Sequence, residues 1–191
     1  MLDDLWALTL ETYRAPRAGV RRAIEAFDTF ERIALLFGLS ICLVIATVVG
    51  LSLIKGSDVT GGAGAISFLA SSLVAQTMGF IVSVAIVYVV GGWFGGVGRP
   101  KEIATAIAWH SFVSAVPGGV VQALVLAQPE SGVASLGILL IVAVAFWLFV
   151  NFVAEAHRFA SVWRVTGVVL GGVIALSFVI AIFSVIAISP A

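Results

Sequence analysis

The sequence reads as an all-α integral membrane protein, with five transmembrane helices behind an N-terminal amphipathic arm. The 191 residues are 61% hydrophobic and only 10% charged, against about 25% charged in soluble domains, and mean hydropathy is +1.19. A soluble fold of this size lacks the core volume to hide so much apolar sequence. Five apolar runs each reach the roughly 20 residues that a helix needs to cross a bilayer. With five spans, nine of the ten lysines and arginines fall on one side, the bias that sets membrane orientation.

The arm comes first. Residues 1–32 hold five arginines and six acids, which does not fit the short basic region and brief apolar core of a cleavable signal. Leu2, Leu5, Trp6, Leu10 and Tyr13 fall at helical spacing, and Val20, Ala23, Ile24, Phe27 and Phe30 do so again after Pro16. The prediction is two amphipathic helices divided at that proline, with Arg14, Arg17, Arg21 and Arg22 around it. Such a segment suits the headgroup layer or the protein's own cytoplasmic face. Trp6, Tyr13, Arg14, Pro16, Arg17, Arg21 and Arg22 are its candidate contacts to lipid or a partner.

The expected spans are residues 33–54, 66–94, 103–127, 134–153 and 165–188. Arg14, Arg17, Arg21, Arg22 and Arg32 precede the first, Arg99 and Lys101 divide the second from the third, and Arg158 and Arg164 divide the fourth from the fifth. Lys55 alone lies opposite. The N-terminus is therefore expected in the cytoplasm and the C-terminus across the membrane.

Within the spans, "VPGG" at 116–119 predicts a break in the third helix, because Pro117 removes a backbone donor. Gln76, near the middle of the second span, predicts a hydrogen-bond partner in the bundle. "GVVLG", Gly167 to Gly171, is a small-residue pattern expected to let the fifth helix approach another closely. The glycine-rich "GGWFGGVGRP" at 91–100 follows a membrane helix and lacks the lysine–hydroxyl pair of a phosphate loop. It reads as a tight turn with Trp93 and Phe94 at the interface.

Polar residues concentrate near the cytoplasmic ends of the third and fourth spans. By helical spacing, Trp147, Asn151, Glu155 and Arg158 lie within roughly 80° of one another, with His157 pointing elsewhere. Glu155 and Arg158 stand i,i+3 and are expected to pair. His110 is about 13 Å along its helix from Lys101, and Asn151 about 10 Å from Arg158. The candidate polar cluster is therefore His110, Asn151, Glu155 and Arg158. Ionisable groups in a membrane mark transport or proton paths. The same residues also fit a helix end at the headgroups with a packing bond between His110 and Asn151, since polar groups near helix ends reach water by snorkelling.

Net charge is zero, so no global field points to nucleic acid. The single cysteine, Cys42, excludes an intramolecular disulfide and any zinc motif. There is no HExxH or GxSxG. No metal, cofactor or catalytic residue is expected.

Three stretches carry a resemblance over nearly the whole chain: "YRAP" at 13–16 before the arginine-rich piece, "GGWFGGVGRPKEIATAIAW" into the third span, and "NFVAEAHRF" after the fourth. Together with the architecture they resemble the Yip (Ypt-interacting protein) domain family of small five-helix membrane proteins, in its bacterial branch. "YRAP" stands about where eukaryotic members show an aspartate-leucine-aromatic-glycine-proline element, and it keeps the aromatic and Pro16. Eukaryotic relatives act in vesicle trafficking and contact small GTPases. The resemblance implies a non-enzymatic protein of the bacterial inner membrane, with its C-terminus periplasmic. The leading expectation is a scaffold or adaptor, in contact with lipid and with a membrane protein partner or a second copy of itself. The rival is a small transporter or proton-coupled permease using the polar cluster.

Overall fold

The computed structural model describes residues 2–54, 63–127 and 132–172. These are helical almost throughout: α1 (Leu2–Arg14), α2 (Pro16–Ala26), α3 (Phe30–Ile54), α4 (Ala63–Trp93), α5 (Pro100–Ala127) and α6 (Gly132–Ala156), then a shorter apolar α7 (Val162–Gly172). Helices α3 to α6 are long and apolar enough to cross a membrane. Residues 173–188 of the expected fifth span, and Lys55, lie outside the described residues.

Helix α5 is the centre, packed against α3, α4, α6 and α2. Its first half, Ile103 to Trp109, is buried without interruption. Ala104, Ala106 and Ala108 there let neighbouring helices close in. The main core joins these residues to Ile33 and Leu36 of α3 and to Leu148, Phe152 and Ala156 of α6. The second half of α5 shows Val116, Val120 and Leu124 to the surroundings.

The chain does break at Pro16, which starts α2 at a position where a missing N–H costs nothing. Helices α1 and α2 fold back on each other at Gly19. A Cβ there would lie 2.3 Å from Thr12 Oγ1 and 2.6 Å from Thr12 Cα, so only glycine fits. Val20 and Ala23 of α2 are fully buried in the main core, and the two short helices cover the first half of α5.

One local expectation is corrected. Helix α5 runs unbroken through Pro117. The proline frees the carbonyl of Val113 four residues back, and Tyr13 of α1 donates its hydroxyl to that carbonyl. Gln76 is half-buried on the face of α4 that also carries Phe80 and Val84 against the core, and it has no hydrogen bond among the described residues. Gly167 and Gly171 are exposed, with nothing within 4 Å of a Cβ at either position, so no close helix approach forms there among the described residues.

Candidate functional site

The polar features meet at one end of the bundle, where α2 crosses the start of α5 and the end of α6. They line a cleft of about 530 Å³. Glu155, in the last turn of α6, faces α2, and its side chain is 11% exposed. Arg17 donates Nε–H to Glu155 Oε2 at 2.9 Å and Nη2–H to the Phe159 carbonyl at 2.9 Å. Arg21, one turn along α2, reaches Glu155 Oε1 at 2.6 Å. One carboxylate thus accepts two guanidinium groups, the charge-assisted geometry that holds a fixed orientation.

Arg158 does not join them. Helix α6 stops at Ala156, and Arg158 takes a left-handed conformation, φ 58°. Phe159 N–H bonds the Ala154 carbonyl at 2.8 Å and Arg158 N–H the Glu155 carbonyl at 3.0 Å. This is the paired closure of a Schellman motif with a non-glycine residue in the strained position. The turn swings Arg158 off the helical face, so the i,i+3 pair with Glu155 does not form. Arg158 meets Glu102 of α5 instead, Nη2 to Oε1 at 3.2 Å, and Glu102 also accepts from the backbone N–H of Arg99 at 3.0 Å.

The other two candidate residues point away. His110 Nε2 lies 3.0 Å from the Ala145 carbonyl of α6, with Phe149 and Phe152 edge-on to its ring. Asn151 donates to the Trp147 carbonyl of its own helix at 2.8 Å. Neither bonds the other, so the four residues do not make one cluster. His110 and Asn151 spend their polarity on backbone carbonyls, while Glu155 and Arg158 anchor separate elements.

The arm residues divide similarly. Pro16 is buried, and Tyr13 is half-buried. Arg22 pairs with Glu11 of α1 at 2.6 Å. Trp6 and Arg14 remain exposed.

His157 is the residue that helical spacing missed. It is 1% exposed, set in the glycine-rich turn between α4 and α5. Its Nε2 lies 3.0 Å from the Val87 carbonyl, and its own carbonyl accepts from Val97 N–H at 3.2 Å. A Cβ on Gly91 would lie 2.2 Å from Nε2, and one on Gly96 2.4 Å from Nδ1. The glycines leave room for an imidazole. Nδ1 is buried without a hydrogen-bond partner among the described residues. Burial lowers the His157 pKa below the ordinary 6.5, and the Val87 carbonyl opposes that in part, so the ring is neutral and donates from Nε2. The density of glycines in 91–98 was the available signal, since a turn alone does not need so many.

Chemically, the cleft balances Arg17, Arg21 and Arg158 against Glu25, Glu102 and Glu155. It is a fastening between three helices. No group of three or more metal-ligating side chains occurs among the described residues. A profile of the Yip1 domain matches residues 10–185, from within α1 to near the C-terminus. No curated protein and no solved structure matches the chain. The chain belongs to the Yip1 domain family, as the resemblance implied.

Proposed function

We propose that this member of the Yip1 domain family is a non-catalytic, multi-pass membrane scaffold or adaptor that presents its N-terminal arm to a partner. The family, together with four apolar membrane-length helices, makes it a membrane protein of the Yip type. The observation that carries the adaptor reading is the docking of the arm through Glu155. Arg17 and Arg21 hold α2 in one orientation on the bundle, and this leaves Arg14, Ala18, Arg22 and Glu25 on the outer surface. A preoriented face of mixed charge is what an adaptor offers. The placement of nine basic residues on one side of five spans supports a bacterial inner membrane topology with the arm cytoplasmic and the C-terminus periplasmic.

Transport draws no support from the geometry. A permease path needs polar groups facing one another, and His110 and Asn151 are each satisfied by a carbonyl. The adaptor reading is tested by photocrosslinking in cells from Ala18 and Arg22, followed by mass spectrometry. A specific membrane protein or a second copy of the chain captured at both positions, and lost when Glu155→Gln loosens α2, is the expected result. Lipid alone at both positions contradicts an adaptor role for the arm.

A further inference from the structure

Away from the cleft, residues of α4, α6 and α7 line an apolar groove of about 330 Å³. Val87 and Val90 form one wall, Val165 and Val169 the other, and Phe149 part of the floor. From Arg164 to Gly172 the groove follows α7 for about 12 Å. Among the described residues Arg164 is its only charged lining residue, and it stands at one end. Arg164 has no hydrogen bond or ion pair among the described residues, unlike Arg17, Arg21, Arg22, Arg32 and Arg158, which each meet a carboxylate. Beside it, Trp163 is 83% exposed, and Trp93 at the same end of α4 is 79% exposed. Exposed tryptophans on membrane helices sit at headgroup level. The end of the groove that carries the cation is therefore at the lipid–water boundary, and the apolar remainder runs inward.

A slot with hydrocarbon walls and one unpaired cation at its wet end complements an amphiphile with an anionic head. We propose that this groove binds one anionic phospholipid, with an acyl chain between α4 and α7 and its headgroup phosphate on Arg164. The site goes beyond the scaffold reading and depends only on the protein lying in a membrane. Gly91 lines the end beside Arg164, and Gly172 lies furthest along α7 from it.

The test is native mass spectrometry of the full chain in detergent, titrated with phosphatidylglycerol and separately with phosphatidylcholine. The wild type is expected to bind phosphatidylglycerol about five-fold more tightly, the factor that one basic residue near an anionic surface contributes. Arg164→Gln is expected to erase that preference, weakening phosphatidylglycerol more than phosphatidylcholine, with helix content unchanged. Val168→Trp, which fills the slot, is expected to weaken both. Equal binding of the two lipids by the wild type, or an unchanged preference in Arg164→Gln, overturns the proposal. So does a photoreactive group at Val169 that captures the chain's own residues 173–191 in vesicles containing phosphatidylglycerol.

Discussion

Tyr13 and Pro117 are 104 positions apart in the sequence and act on the same carbonyl. Pro117 deprives the Val113 carbonyl of its helical donor, and the Tyr13 hydroxyl replaces it. Tyr13→Phe removes only the hydroxyl and leaves the ring in place. The loss is one hydrogen bond plus the desolvation of an acceptor on a residue 2% exposed, together about 1–3 kcal/mol. Pro117→Ala supplies a new N–H to the same carbonyl. In that background Tyr13→Phe should cost less than about 0.5 kcal/mol, giving a coupling of about 1 kcal/mol or more. Equilibrium unfolding in mixed micelles, followed by helical circular dichroism, measures all four members of the cycle. An equal cost of Tyr13→Phe in both backgrounds refutes the reasoning.

Three further outcomes follow from the site. Gly91→Ala should destabilise by about 1–3 kcal/mol through overpacking against His157, whereas Gly92→Ala, with nothing within 4 Å, should be neutral or stabilise by up to about 1 kcal/mol; thermal unfolding of the pair reads this. The lowered pKa of His157 means that the unfolded chain binds the proton more tightly. Its contribution is complete above the unfolded value near 6.5 and is lost as pH falls through the folded one, so unfolding free energy should decline below about pH 6.5, with a shallower decline in His157→Gln. Glu155→Gln should cost about 1–2 kcal/mol, less than a fully buried pair because Arg21 is 65% exposed, and should raise proteolysis in the turn before α2.

Much of the frame was legible because apolar length and Pro16 are local signals. The observed α3, Phe30–Ile54, and α5, Pro100–Ala127, lie within three residues of the expected spans. The site was less legible because its bonds are long-range. Helical spacing placed Glu155 and Arg158 on one face by extending the helix two residues too far. The stop at Ala156 comes from a Schellman turn without the glycine that announces one. His157 pointed away from that face, as the spacing indicated, but a helical wheel describes one helix and cannot show the glycine turn that receives the ring. The partners of Glu155 sit 138 and 134 residues earlier, and no periodicity links them.

The central structural claim is that arm and bundle form one body. Spin labels introduced by Ala18→Cys and Ala160→Cys, with Cys42→Ser, flank the Arg17–Phe159 contact at exposed positions. Their separation in lipid nanodiscs by double electron–electron resonance tests the claim directly. A single narrow distribution at the short end of the measurable range, broadened by Glu155→Gln, is the result this account predicts. A broad, long distribution in the otherwise unaltered protein contradicts it.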